Sequence, residues 1–278
     1  MLKMFIMKKT TPTPDIASPT NAKFKAWKTL LTSQGIKKNS LFLMGGEKIT
    51  SELQSSAGKN RAAEVESWLV SSENAEHDMA TLKGIPRREI FVLEKALFSE
   101  LNEMNTQGPL AVVKRPDLQK IDLSQPPQGL ELILSLQDPS NLGAALRVAE
   151  AFHAQKVILL QECAEPFLPK CSRSSSGSNL RVSLYQGPSL KTLESHLEWV
   201  TSQWVALDLK GQLLPQFEWP QNARLLLGVE GPGLSPRLKE SPHLKKVRIP
   251  IRESVDSLNA VSALSIACYS YGVQFSNP

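Results

Sequence analysis

Cysteine is scarce in this chain of 278 residues, which has only Cys163, Cys171 and Cys268. An odd number, with no second Cys or His at ligand spacing, excludes a disulfide framework and a zinc-type metal site. It points to a reduced, cytoplasmic protein. Long apolar runs are missing too. No stretch approaches the roughly 18–20 residues needed to span a bilayer, so no membrane helix is expected. The short apolar start from Leu2 to Met7 lacks a proper hydrophobic core and a small-residue cleavage site, and no secretory signal is expected. Neither a G-x-G-x-x-G turn nor a Walker-type lysine occurs, which weakens dinucleotide and P-loop readings.

Acidic residues are nearly absent from the first forty positions. Eight lysines (3, 8, 9, 23, 25, 28, 37 and 38) stand there against Asp15 alone, in a chain of net charge +5. The remainder is therefore slightly acidic. A basic leading segment suits a phosphate backbone, because each neutralised phosphate releases counterions. The plain alternative is a solvated, flexible tail.

The apolar content of 41% is ordinary for a globular protein, and the length allows two domains. Residues 1–22, rich in Thr, Pro and Ser, read as a flexible basic tail. Residues 23–115 read as a small α/β domain. It has a helix over 23–34, strands over 40–44, 89–93 and 110–114, a helix near 95–104, and a segment at 64–70 that fits strand or helix equally. Residues 116–128 hold Pro116, Pro126 and Pro127 with little apolar periodicity, and read as a linker. From residue 129 the pattern changes. Strand-like runs at 130–136, 156–160, 204–209, 224–229 and 246–251 alternate with helical stretches at 142–152, 190–200 and 258–271. Near-continuous apolar strands separated by helices predict an α/β fold with a mostly parallel sheet covered on both faces.

Ligands on such sheets bind beyond the carboxyl ends of the strands. Three unusual sequences follow strands here. Asp138-Pro139-Ser140-Asn141-Leu142-Gly143 opens a helix, with Asp138 or Ser140 as its cap. Arg147 lies off the apolar stripe of that helix, where the ordinary outcome is an ion pair with Glu150. Gly228-Val229-Glu230-Gly231-Pro232-Gly233 lets backbone approach a ligand closely and sets Glu230 at a strand mouth. Asp256-Ser257-Leu258-Asn259 begins a last helix that is apolar on most sides. That helix is expected to be buried and capped by Asp256 or Ser257.

In this order the three segments resemble the SpoU (TrmH-like) family of RNA ribose methyltransferases, within the SPOUT knotted superfamily. Ile249-Pro250-Ile251 ahead of Ser257-Leu258-Asn259 completes the third motif, and Arg173-Ser174-Ser175-Ser176-Gly177-Ser178 is similar to the family's Ser/Gly segment. Val229 and Glu253 depart from the usual pattern, which often has Asn and Gly there. The likeness is strong over 130–275 and weaker over 40–115, which is similar to a small substrate-recognition domain.

The resemblance implies a deep trefoil knot, S-adenosylmethionine as cofactor, a homodimer, and methylation of a ribose 2′-hydroxyl in RNA, ribosomal rather than transfer RNA. It assigns catalysis to Asn141, Arg147, Glu230, Ser257 and Asn259, with Arg147 either activating or positioning the hydroxyl. It gives the cofactor to Leu227, Gly228, Val229, Gly231, Gly233, Ile249, Ile251 and Leu258, and RNA contacts to Arg173 and Ser176. It implies no metal. The competing readings are a transfer-RNA methyltransferase, base methylation on the same scaffold, and an RNA-binding homologue that has lost catalysis.

Overall fold

Along the strand Leu130–Leu134, the side chains of Leu132 and Leu134 join one buried cluster while that of Ile133 joins another. Successive strand residues point to opposite faces, so this alternation means a sheet packed on both sides. The computed structural model describes residues 15–55, 63–228 and 233–275. They divide into two units between Arg115 and Pro116.

The first unit contains α1 (Ala22–Thr29), α2 (Ser33–Asn39), β1 (Leu41–Gly45), α3 (Glu47–Ser55), β2 (Val65–Ser71), α4 (Ala75–Thr81), β3 (Ile90–Leu93), α5 (Lys95–Leu101) and β4 (Leu110–Lys114). Its sheet has the order β1-β4-β2-β3 and is parallel only between β2 and β3. The ambiguous segment near 64–70 is thus a strand. The helix expected over 23–34 is split, because the Thr32 hydroxyl accepts the Gly35 N–H at 3.1 Å and starts a second helix. The expected flexible tail ends earlier than residue 22. Ile16 is buried and bridges to Leu93, and Asp15 accepts the Val92 N–H at 2.9 Å and pairs with Arg87. Residues 1–14 of that tail lie outside the described residues.

The second unit contains β5 (Gln119–Lys120), β6 (Leu130–Leu134), α6 (Pro139–Ala151), β7 (Lys156–Leu159), α7 (Pro169–Ser175), α8 (Ser178–Arg181), β8 (Leu184–Gln186), α9 (Leu190–Ser195), β9 (Trp204–Leu213), β10 (Ala223–Leu226), α10 (Pro236–Lys239), β11 (Lys245–Arg248) and α11 (Ala260–Phe275). All seven strands pair in parallel, in the order β11-β9-β10-β6-β7-β8-β5. Leu142, Ala145, Leu146 and Ala149 of α6, with Leu264, Ala267 and Cys268 of α11, cover one face. Leu193 of α9 and Leu238 of α10 cover the other. The order changes direction beside β6, which makes a switch point between β6 and β10.

Residues 116–128 are more than a linker. β5 extends the sheet edge, and the carbonyl of buried Leu123 accepts the Arg224 guanidinium at 2.8 Å. Arg224 also binds Glu131 at 2.7 Å, and Glu131 takes Lys156 at 2.8 Å. This ion cluster, with Glu131 and Arg224 almost fully buried, sits at the amino ends of β6, β7 and β10, the opposite end from the motif loops.

Candidate active site

Loops at the carboxyl ends of β6, β10 and β11, with an irregular stretch inside β9, line a cavity of about 650 Å³. Its wall takes Asn141 from the start of α6, Leu227 and Gly228 after β10, Gly233 and Leu234 beyond them, Ile249 and Ile251 after β11, and Ser257, Leu258 and Asn259 ahead of α11.

Each loop is shaped by local chemistry. The Asp138 carboxylate accepts the Asn141 N–H at 2.8 Å and caps α6, which Pro139 opens. That fixes where Asn141 leaves the sheet. Gly143 sits where a Cβ would lie 2.4 Å from the Cys171 carbonyl oxygen, so only glycine lets α7 pack against α6. A Cβ on Gly228 would lie 2.7 Å from the Gly233 carbonyl carbon, so the two ends of that loop approach backbone to backbone. The cap of α11 is Asn259, whose Oδ1 accepts the Val261 N–H at 2.9 Å and the Ser262 N–H at 3.3 Å. It is neither Asp256 nor Ser257, because helical backbone begins one residue after Asn259.

Most of the expected residues converge. Asn141, Ser257, Asn259, Leu227, Gly228, Gly233, Ile249, Ile251 and Leu258 all line the cavity. Val229, Glu230 and Gly231 lie outside the described residues. Arg147 is exposed on α6 and is not part of the cavity wall. The ordinary pairing with Glu150 is not made, since Glu150 is held by Arg181 and Ser178 instead. Arg173 is exposed on the last turn of α7, and Ser176 follows it in a left-handed conformation with φ 50°. Neither borders the cavity.

The sequence reading missed a fourth contributor. Across the β9–β11 ladder Ala206 faces Lys246 and Gln212 faces Val247, so residues 207–211 of β9 are extra to the ladder. Leu207, Asp208, Leu209 and Lys210 of this excursion line the cavity. Asp208 pairs with Lys239 at 3.5 Å and accepts the Lys210 N–H at 2.8 Å. The signal was available: Asp208 is the first charged residue in the apolar strand that starts at Trp204, near the strand-end side where ligands bind. Lys210, Lys239 and Arg248 against Asp208 give the described part of the wall a positive balance.

The volume lies within the range of small-molecule sites, roughly 300–1,000 Å³. Apolar Leu227, Ile249 and Leu258 suit a flat ring system, and the Gly228–Gly233 approach exposes backbone groups for polar edges. Cationic side chains suit a carboxylate, while Asp208 suits hydroxyls or an amine. The donor set fits a nucleoside carrying an amino-acid tail.

The family model "SpoU rRNA Methylase family" matches residues 131–269. The chain is 33% identical over 258 residues to "Ribosomal RNA small subunit methyltransferase G 2" of Syntrophobacter fumaroxidans, covering 92% of this chain and 48% of that one. It thus spans about half the length of that relative. It is 30% identical over 261 residues to "23S rRNA (guanosine(2553)-2'-O)-methyltransferase RlmP" of Bacillus subtilis, covering 91% of this chain and 97% of the relative. The crystal structure of the SpoU methyltransferase AviRb from Streptomyces viridochromogenes, in complex with AdoMet, superposes with a TM-score of 0.71. It is 25% identical over 91% of this chain and 98% of that one.

Proposed function

The chain belongs to the SpoU rRNA methylase family, and on that premise we propose that it transfers a methyl group from S-adenosylmethionine to a ribose 2′-hydroxyl of ribosomal RNA. The observation that carries the reading is the single cavity at the switch point, where all three sequence motifs contribute wall residues. The cofactor complex of AviRb, on the same fold, supports S-adenosylmethionine as its occupant. Bound there, it supplies a methyl group made electrophilic by a sulfonium.

The backbone around Leu227, Gly228, Gly233, Ile249 and Leu258 would hold the adenosine, and Asp208 with Lys210 and Lys239 the polar ends. Val229, Glu230 and Gly231 complete the same loop in sequence. Asn141 and Ser257, both in the cavity wall, orient the acceptor ribose. Asn259 is anchored by its capping bonds and fixes the preceding Ser257-Leu258 in place. Holding the hydroxyl in line with the methyl removes much of the entropic barrier. A guanidinium offers a planar fork of donors that matches a phosphate, so Arg147 acts by binding the RNA phosphate and placing the hydroxyl. Arg173 and Ser176 extend the RNA contact on the neighbouring helix, and residues 23–115 serve as the substrate-recognition domain.

We assign a homodimer with α11 at its interface. Helix α11 is apolar but only Leu264, Ala267 and Cys268 are buried. Ser262, Ile266, Tyr269 and Val273 form an exposed stripe at helical spacing, with Tyr269 62% and Val273 63% exposed. A sequence apolar on most sides suggests a helix buried within one chain, yet six of its sixteen residues are exposed. Tyr269 packs edge-on against Phe152 at the end of α6, so the Arg147 helix borders that stripe. The deep knot belongs to this assignment as well. Three free thiols and a ribosomal substrate suit the cytoplasm; among the described residues no helix is long and apolar enough to cross a membrane.

Mapping 2′-O-methyl sites in ribosomal RNA from cells with and without the gene tests the reading. One site present only with the gene is expected. Loss of a methylated base instead, or of a transfer-RNA site, would replace it.

A further inference from the structure

We propose that Arg181 is a positioning residue for methyl transfer, because by holding Glu150 it keeps the guanidinium of Arg147 available to the RNA. The inference rests on the role assigned above to Arg147.

Arg147 and Glu150 are three apart on α6 and are therefore neighbours on its surface. Left to themselves, an exposed Arg and Glu at this spacing pair. Here both carboxylate oxygens of Glu150 are taken. Arg181 Nε donates to Oε1 and Nη2 donates to Oε2 at 3.0 Å, a two-pronged arrangement, and the Ser178 hydroxyl donates to Oε2 at 2.5 Å. Arg147 is exposed, and among the described residues none makes a hydrogen bond or ion pair with it.

The clamp is built into the fold. Arg181 Nη2 also donates to the Ser176 carbonyl at 3.0 Å. Ser178 is fully buried. Its neighbour Asn179 is buried too, and donates to the Pro166 carbonyl at 3.0 Å and to Ser172 Oγ at 3.2 Å, while Ser175 donates to it. Asn179 thus fixes α8, α8 fixes Arg181, and Arg181 fixes Glu150. A bidentate Arg–carboxylate pair in a fixed frame outcompetes a single flexible contact across a helix turn. The Ser/Gly segment between the first two motifs therefore supports the first motif's arginine by occupying its natural competitor.

The test is a set of variants assayed for methyl transfer to ribosomal RNA, with cofactor affinity measured in each by calorimetry. Arg181→Ala releases Glu150, which then captures Arg147, and kcat should fall about five-fold, the weight of one exposed ion pair. The double variant Arg181→Ala/Glu150→Gln removes the competitor and should recover most of the rate, with cofactor affinity unchanged throughout. A clamp that served only stability would be further weakened by the second change. An Arg181→Ala variant at the wild-type rate, or a double variant no faster than the single, overturns the proposal. If Arg181→Ala does not fold, Arg181→Gln is read in its place with the same expectations. The ¹⁵N resonance of Arg147 Nε gives a readout independent of activity: it should shift in Arg181→Ala and return in the double variant. A wild-type protein that methylates no ribose sinks the functional reading, while the resonance still decides the clamp; no shift overturns it.

Discussion

Glu131 is a carboxylate with no solvent exposure, held by Arg224 at 2.7 Å and Lys156 at 2.8 Å. Removing one member of such a cluster strands an unpaired charge in the interior, at a cost of about 3–5 kcal/mol. Denaturant unfolding of Glu131→Ala should show a loss of that size, and a loss under about 1 kcal/mol would mean the cluster is hydrated. Asp78 behaves differently. Burial is the largest influence on it and raises its pKa above the ordinary 3.8, with His77 opposing and Glu47 adding. A raised folded pKa means the stability contribution is complete below about pH 3.8. It is lost as pH rises through the folded value. Asp78→Asn should therefore raise the melting temperature at pH 7 and leave it unchanged below that range; a lower melting temperature at pH 7 would show that the carboxylate is needed. Burial also pushes the Cys268 thiol up to about 12 and raises Cys171, so both are inert packing groups.

At the scale of elements, five of the seven strands of the second unit were legible because buried parallel strands are mostly apolar, interrupted in residues 130–134 and 223–226 only by the mutually paired Glu131 and Arg224; β5 and β8, two and three residues long, were not. Short helices such as α7 and α8 were not. Their sequence is mostly Ser, Lys, Arg and Asn, and it is held by buried polar bonds around Asn179 rather than by an apolar stripe. The site was legible where motifs follow strands and hidden at Asp208, where five extra residues interrupt the β9–β11 ladder. Arg147 is exposed and off the apolar stripe of α6, as its spacing predicts, but its lack of an ion pair among the described residues depends on Arg181, thirty-four positions away, which local spacing does not reveal. The Gly228 loop carries its own prediction. In Gly228→Ala the new methyl meets the Gly233 backbone at 2.7 Å, so the loop must move. Calorimetry should show at least about a ten-fold loss of cofactor affinity, equivalent to about 1.4 kcal/mol; unchanged affinity would remove this loop from the cofactor site.

For the whole molecule, the division at Arg115–Pro116 sets what each part needs. A fragment of residues 116–278 keeps β5 and the Leu123 carbonyl that binds Arg224, and it should fold and bind S-adenosylmethionine. A fragment starting at 129 lacks both and should melt markedly lower; equal melting temperatures would return 116–128 to a mere linker. Tyr269→Glu on the exposed stripe of α11 should convert the protein to a monomer in light scattering, and a wild-type monomer would contradict the assigned dimer. That the acceptor is a ribose oxygen is tested by methyl transfer to an RNA whose target nucleotide carries either a 2′-hydroxyl or a 2′-hydrogen. Product is expected from the first and none from the second. Equal methylation of both would place the methyl on a base and contradict the ribose assignment.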